Sequence, residues 1–224
     1  MIFRDRIQAG RLLADQLAQR KLQDPIVLAL PRGGVPVGYA VAEQLKAPLD
    51  IVLVRKIGVP WHRELALGAI ADGDHPELAV NAEIQAELGS GDDYLKAEAA
   101  KQLEEIERRR RLYLGGRAPL EVRGRTAILV DDGIATGATM RAALRATRRR
   151  RPHAIILAVP VAPPETLAAL AGEADDILCL HQPDDFGGVG QFYKDFEQVE
   201  DATVTALLAQ SAQSRARRKR PTTG

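Results

Sequence analysis

Residues 127–140, AILVDDGIATGATM, constrain this chain more than any other stretch. Ala127, Ile128, Leu129 and Val130 form a short apolar run of the kind that makes a buried strand. Two carboxylates follow, Asp131 and Asp132, then a turn of mostly small residues, Gly133-Ile134-Ala135-Thr136-Gly137-Ala138-Thr139; helical periodicity begins after Met140. A strand feeding a tight turn feeding a helix gathers free backbone N–H groups and the positive helix end at one spot, which suits an anion. Gly133 and Gly137 let backbone approach a ligand, and Thr136 and Thr139 add hydroxyl donors. The two acids would repel an anion, so they suit hydroxyl groups or a divalent cation a few ångströms away. The stretch therefore asks for a phosphate with a diol beside it, which is a sugar phosphate.

VDDGIATGAT resembles the phosphoribosyl pyrophosphate (PRPP) signature of type I phosphoribosyltransferases. It is not a Walker A loop, because no lysine follows the second glycine. The resemblance implies that Ala135, Thr136, Gly137, Ala138 and Thr139 grip the 5′-phosphate, and that Asp131 and Asp132 orient the ribose hydroxyls. It also implies Mg²⁺, held partly by PRPP and reached by Asp131 and Asp132 indirectly through PRPP or water.

Composition sets the bounds. The chain has 224 residues, enough for one α/β domain with a sizeable core. A net charge of +1 supplies no global field to recruit nucleic acid or a membrane. A single cysteine, Cys179, excludes an intramolecular disulfide framework and fits a reducing, cytoplasmic setting. Its apolar neighbours favour a packing role. No signal-peptide pattern, membrane-length apolar stretch or internal repeat is present.

In chain order, residues 3–20 read as an amphipathic helix and residues 26–30 as a short buried strand. The loop Pro31-Arg32-Gly33-Gly34 follows, then a helix to about residue 45. Its paired glycines permit close approach of backbone to a ligand, and Arg32 adds a positive charge. The loop resembles the family's pyrophosphate loop, which implies a non-proline cis peptide, placed here between Arg32 and Gly33. Residues 50–54 read as a strand that delivers Arg55 and Lys56 at its carboxyl end, where two cations fit a polyphosphate. Residues 65–70 and 78–80 suggest a hairpin around Asp72-Gly73-Asp74. In the family a mobile lid lies in this region and excludes water from an oxocarbenium-like reaction centre; Trp61 is a candidate member, and His62, Glu64 and His75 read as surface groups.

Residues 81–111 read as a helix, 139–151 as a second one ended by Pro152, and 163–171 as a third. Strands fall at 154–159 and 176–180. The arginine runs 108–111 and 148–151 sit at helix C-termini, where cations favour the dipole and solvate. The alternation predicts an α/β fold with a central parallel sheet of about five strands flanked by helices, a lid or insertion over about 57–116, and both glycine loops at one sheet edge.

Residues 181–199 leave the regular pattern and hold Phe186, Phe192, Tyr193 and Phe196. These rings either stack on a planar base or cover the end of the sheet. In purine-using relatives a similar segment cups the base, which makes Phe186, Val189, Phe192 and Asp195 candidate hood residues. A final helix is expected over about 201–210, closing a single domain of 1–210, with a basic disordered tail at 211–224.

The resemblance implies transfer of ribose 5-phosphate from PRPP to a nitrogen base, with release of pyrophosphate, using Asp131, Asp132, Arg32 and Lys56. A non-catalytic PRPP sensor is the alternative. Ala135 stands where 6-oxopurine enzymes carry an aspartate, and Val161-Ala162-Pro163-Pro164 offers none of their lysine, which weighs against hypoxanthine or guanine as acceptor. The expected partners are PRPP and an unidentified nitrogen base; no membrane or specific nucleic acid is expected, and a homodimer is left open.

Overall fold

The computed structural model describes residues 1–59, 62–71, 77–80 and 92–219, without the side chains of 62–66, 77–79, 92 and 219. Its centre is a parallel sheet built from β1 (Ile26–Ala29), β2 (Leu49–Ile51), β6 (Thr126–Val130), β7 (Ala154–Val161) and β8 (Asp176–His181), in the order β2-β1-β6-β7-β8. The expected five-strand parallel sheet is thus present. Strands β1 and β6 are buried along their whole length, as continuous apolar runs between two layers of helices should be.

The pleat divides each strand between two cores. Val27 and Ala29 share one with Ile128 and Val130, beneath α1 (Arg6–Leu17), α2 (Gly34–Leu45) and the C-terminal helix α6 (Asp201–Lys219). Ile26 and Leu28 share the other with Leu129, Ile155 and Leu157, beneath α4 (Ala138–Arg149) and α5 (Pro164–Leu170). Asp5 caps α1 by accepting a hydrogen bond from the Gln8 N–H.

The segment expected as a lid forms an antiparallel sheet of β3 (Val54–Val59), β4 (His62–Ala71) and β5 (Glu77–Val80). The expected hairpin is therefore β4–β5; its connection, residues 72–76 with His75, lies outside the described residues, as do Trp61 and the side chains of His62 and Glu64. This sheet packs on α4 and on the long helix α3 (Asp92–Leu114). One correction concerns Arg55 and Lys56. They do not end β2: they lie inside β3, because the chain leaves the parallel sheet after Ile51 and re-pairs with β4.

A second correction concerns the C-terminus. The basic segment expected to be disordered from residue 211 continues α6 as far as Lys219, and only 220–224 fall outside the described residues. Ser211 is buried, Val204 and Leu208 enter the core, and Arg218 Nη2 lies 3.0 Å from Glu43 Oε2 on α2. Arginine and lysine are good helix formers, and cations at a helix C-terminus are favoured by its dipole. The apolar face docked on α2 carries the rest of the helix with it.

Candidate functional site

Parallel pairing of β1 with β6 brings their carboxyl ends together, so the loops that follow them are neighbours. After β6 come Asp131 and Asp132, half-buried, and then the turn to Gly137. Gly137 has φ of 78°, a left-handed conformation that glycine adopts without strain, and α4 starts at the next residue. No side chain caps α4 and its first turn carries no acid, so neither offsets its positive end. Ala135, Thr136 and Thr139 are exposed, Gly137 is buried and Ala138 is half-buried. Thr166 Oγ1 donates to the Ala135 carbonyl at 2.6 Å, and Ile134 N–H donates to the Val161 carbonyl at 3.0 Å. These bonds shape the turn that was expected to hold a phosphate.

The loop after β1 holds a cis peptide between Pro31 and Arg32, one bond earlier than the expected position. Its glycines have a more definite job than approach to a ligand. A Cβ on Gly33 would sit 2.1 Å from Asp132 Oδ2, and one on Gly34 would sit 2.7 Å from the Val130 carbonyl oxygen. Both positions are filled by the end of β6, so glycine is what allows the two loops to touch. Arg32 is partly exposed, with Nη1 3.7 Å from Asp201 Oδ1 at the start of α6, and that carboxylate also accepts from the Tyr113 hydroxyl at 2.5 Å.

Arg55 donates from Nε to Gln102 Oε1 on α3 at 3.0 Å, whereas Lys56 is exposed. As neighbours on one strand they point to opposite faces, so they cannot both serve one ligand group from the same side.

The acid pair is clamped from a direction the sequence did not indicate. Arg6, at the start of α1, donates from Nε to Asp132 Oδ2 at 2.8 Å and from Nη1 to the Glu197 carbonyl at 2.8 Å. Its guanidinium carbon lies 3.9 Å from the centre of the Phe196 ring. The Tyr193 hydroxyl donates to the Asp132 carbonyl at 2.6 Å, and Asp132 N–H donates to Asp131 Oδ1 at 2.9 Å. Burial, and then repulsion from Asp132, push the Asp131 carboxyl well above its ordinary range. Burial also raises Asp132, against the pull of Arg6. Tyr193 is raised by burial and by the neighbouring acids, so its hydroxyl stays a donor. Arg6 lies 126 residues from Asp132 and reads locally as an ordinary charged residue of an amphipathic helix, so no pattern marked it.

The hood residues divide. Phe192 and Tyr193 are buried with Phe3 in a small core of their own, where Phe192 stacks on Phe186 at 5.5 Å between centroids. The backbone of the N-terminus ties down this segment: Phe3 N–H donates to the Phe192 carbonyl at 2.7 Å, and Lys194 N–H to the Phe3 carbonyl at 2.9 Å. The Phe192 ring is therefore a packing element and has no free face for a base. Phe186 and Val189 are half-buried, and Asp195 is exposed. Among the described residues no group of three or more His, Cys, Asp or Glu side chains could cage a metal. Two adjacent carboxylates beside a phosphate-type loop suit Mg²⁺, which keeps waters and phosphate oxygens as most of its ligands.

Comparison with known proteins places these features in a family. The family model for the phosphoribosyl transferase domain matches residues 4–197, from the N-terminal segment through the hood. A Mycobacterium tuberculosis H37Rv protein named "Putative phosphoribosyl transferase" is 44% identical over 207 residues, covering 92% of this chain and 46% of that protein. The chain thus spans about half the length of the curated relatives it matches. The crystal structure of TT1426 from Thermus thermophilus is 44% identical, with a TM-score of 0.82 over 94% of this chain and 99% of that one. A hypothetical protein from Neisseria gonorrhoeae, solved with bound ppGpp, shares the fold alone at 11% identity, with a TM-score of 0.53 over 93% of this chain and 96% of that one. With the strand-loop-helix motif, the glycine loop and the parallel sheet matched together, the chain belongs to the phosphoribosyl transferase domain family.

Proposed function

We propose that this chain binds PRPP across the two loops at the carboxyl ends of β1 and β6 and transfers its ribose 5-phosphate to a nitrogen base. The observation that carries this reading is the seating of Asp131 and Asp132 between an uncapped helix start and the Gly33-Gly34 loop. The 5′-phosphate would take the Ala135, Thr136, Gly137, Ala138 and Thr139 turn, and the acids would meet the ribose hydroxyls. The pyrophosphate would face Gly33-Gly34 and Arg32, with Lys56 as the further cation on the β3 side. Phe186, Val189 and Asp195 supply the hood surface open to a base.

The reaction breaks the bond from ribose C1 to the pyrophosphate oxygen, which leaves with the electron pair. A bond from the base nitrogen to C1 forms, and the nitrogen loses its proton. Bound Mg²⁺ would supply charge neutralisation on the leaving pyrophosphate. The chain's part is positioning: ribose held by two carboxylates, phosphate by backbone N–H groups, and reaction without a protein nucleophile. Ala135 brings no carboxylate to the base, so the acceptor would need to lose its proton by another route than a base at that position. A place in nucleobase salvage in the cytoplasm fits this chemistry. Among the described residues no helix is long and apolar enough to cross a membrane.

The test is calorimetric titration of Mg·PRPP into the wild-type chain and a D131N/D132N variant, followed by pyrophosphate release across a panel of bases. Binding that the variant loses, with turnover on at least one base, is expected. Folded wild-type protein that binds no PRPP at millimolar concentration overturns the reading. Binding without turnover across a wide panel makes the chain a PRPP sensor.

A further inference from the structure

Asp132 is clamped by Arg6 and Tyr193, contacts that a ligand-binding carboxylate does not by itself require. We propose that Arg6 is a positioning residue of the ribose site: it sets the orientation of the Asp132 carboxylate and couples it to the hood. This inference rests on the reading of the acid pair as the ribose contact.

The geometry is restrictive. Asp132 Oδ2 accepts from Arg6 and lies against Gly33, where even a methyl group would not fit. Tyr193 fixes the backbone carbonyl of the same residue. The carboxylate is thus held at one oxygen by Arg6 and at its own main chain by Tyr193, with 14% of its side chain still exposed to meet a ligand hydroxyl. Arg6 is held in turn. Its side chain is only 11% exposed, Nη1 is spent on the Glu197 carbonyl, and the guanidinium plane rests near Phe196. Tyr193 and Phe196 also contact each other, with centroids 5.0 Å apart. The hood, the N-terminal helix and the ribose carboxylate are therefore joined by one continuous set of contacts.

A purely structural role does not explain the choice of residues. A buried ion pair that only fastened a helix to a sheet edge could be replaced by apolar side chains of similar volume with little or no loss of stability. The rigid fork of arginine, stacked on a ring and bonded along a defined direction, instead fixes where a carboxylate points. A fixed direction suits a carboxylate that packs against Gly33 on one side and meets a ligand on the other.

The experiment compares two ligands that share the pyrophosphate but differ in the ribose 5-phosphate, which PRPP alone carries. Mg·PRPP and Mg·pyrophosphate are titrated separately into wild type, R6M, R6K and F196L. R6M is expected to weaken Mg·PRPP by about tenfold or more and to leave Mg·pyrophosphate within about twofold, because only PRPP carries the ribose 5-phosphate whose hydroxyls meet Asp132. R6K should recover part of the loss through its point charge, without the fork. F196L should weaken Mg·PRPP by about threefold by freeing the guanidinium; it keeps the proposal testable if R6M does not fold. Mg·PRPP affinity in folded R6M or F196L unchanged from wild type overturns the proposal. So does an equal loss of both ligands in these variants, which is what general loosening of the site would produce. Wild-type protein that binds pyrophosphate but not PRPP instead removes the ribose reading on which the proposal stands.

Discussion

The turn after β6 and the hood after β8 flank the same acid pair, yet they are held in opposite ways. The turn rests mainly on near neighbours, a left-handed Gly137, α4 starting directly behind it and an Arg141 N–H that returns to the Gly137 carbonyl at 2.8 Å, with Val161 and Thr166 of the next strand and helix adding one hydrogen bond each. The hood is made by distant partners, with Phe3, Arg4 and Arg6 bonded to residues 192–197 across most of the chain. A turn built mostly from its own strand, its own helix and the next β–α unit needs only short loop closures to form. A hood built from distant contacts exists only once both ends of the domain are in place.

The largest effect that would break this contrast lies in the hood. Phe192→Ala should cost about 3–4 kcal/mol by emptying the small core against Phe3 and Phe186, read as a lower denaturant midpoint. It should also free the N-terminus, seen as faster amide exchange at Phe3 and Lys194. A cost below about 1 kcal/mol would mean that the hood is not a folded unit. Next is the contact between the loops. Gly33→Ala forces Asp132 or the β1 loop to move and should cost about 2 kcal/mol, with a loss of Mg·PRPP affinity larger than its effect on stability suggests. Unchanged affinity would separate the two loops functionally.

A third variant tests the acids themselves. Asp131 titrates at higher pH folded than unfolded, so its ionisation costs stability as pH rises from the ordinary carboxylate range toward the folded value. Asp131→Asn should therefore raise stability at neutral pH by about 1 kcal/mol, roughly 2–4 °C in Tm, and abolish PRPP binding; the stability gain should vanish in acid, below the ordinary carboxylate range. Thermal scans across pH check it, and a variant that is less stable at neutral pH contradicts the assigned burial. The smallest effect is on α3. Arg108 and Arg109 hold the Glu105 carboxyl down to about 2, so its contribution is present above the ordinary glutamate value and fades as pH falls through about 2. Because the site is solvent-facing, Glu105→Gln should cost only about 0.5 kcal/mol at neutral pH, measured by denaturant titration in low salt.

Local pattern carried the parallel sheet, most helix positions and the loop after β6, because apolar runs, glycines and prolines act over a few residues. It erred where a segment could serve two neighbours. Arg55 and Lys56 read as the end of a parallel strand but belong to a second sheet, since re-pairing with β4 depends on a strand further along. The RARRK segment read as a solvated tail but extends α6, because docking of Val204 and Leu208 on α2 anchors the turns that follow.

What the sequence determined by itself is the layout of residues 131–139: strand end, acids, small turn and helix start, which follow mostly from short-range backbone geometry. Only the tertiary structure decided that Asp132 is tied to Arg6, that Gly33 exists to admit that carboxylate, and that Phe192 packs against Phe3 while Phe186 and Val189 stay partly open. Those pairings join residues far apart along the chain. No local period encodes them; they arise when the sheet order β2-β1-β6-β7-β8 brings the N-terminal helix and the hood to the same edge.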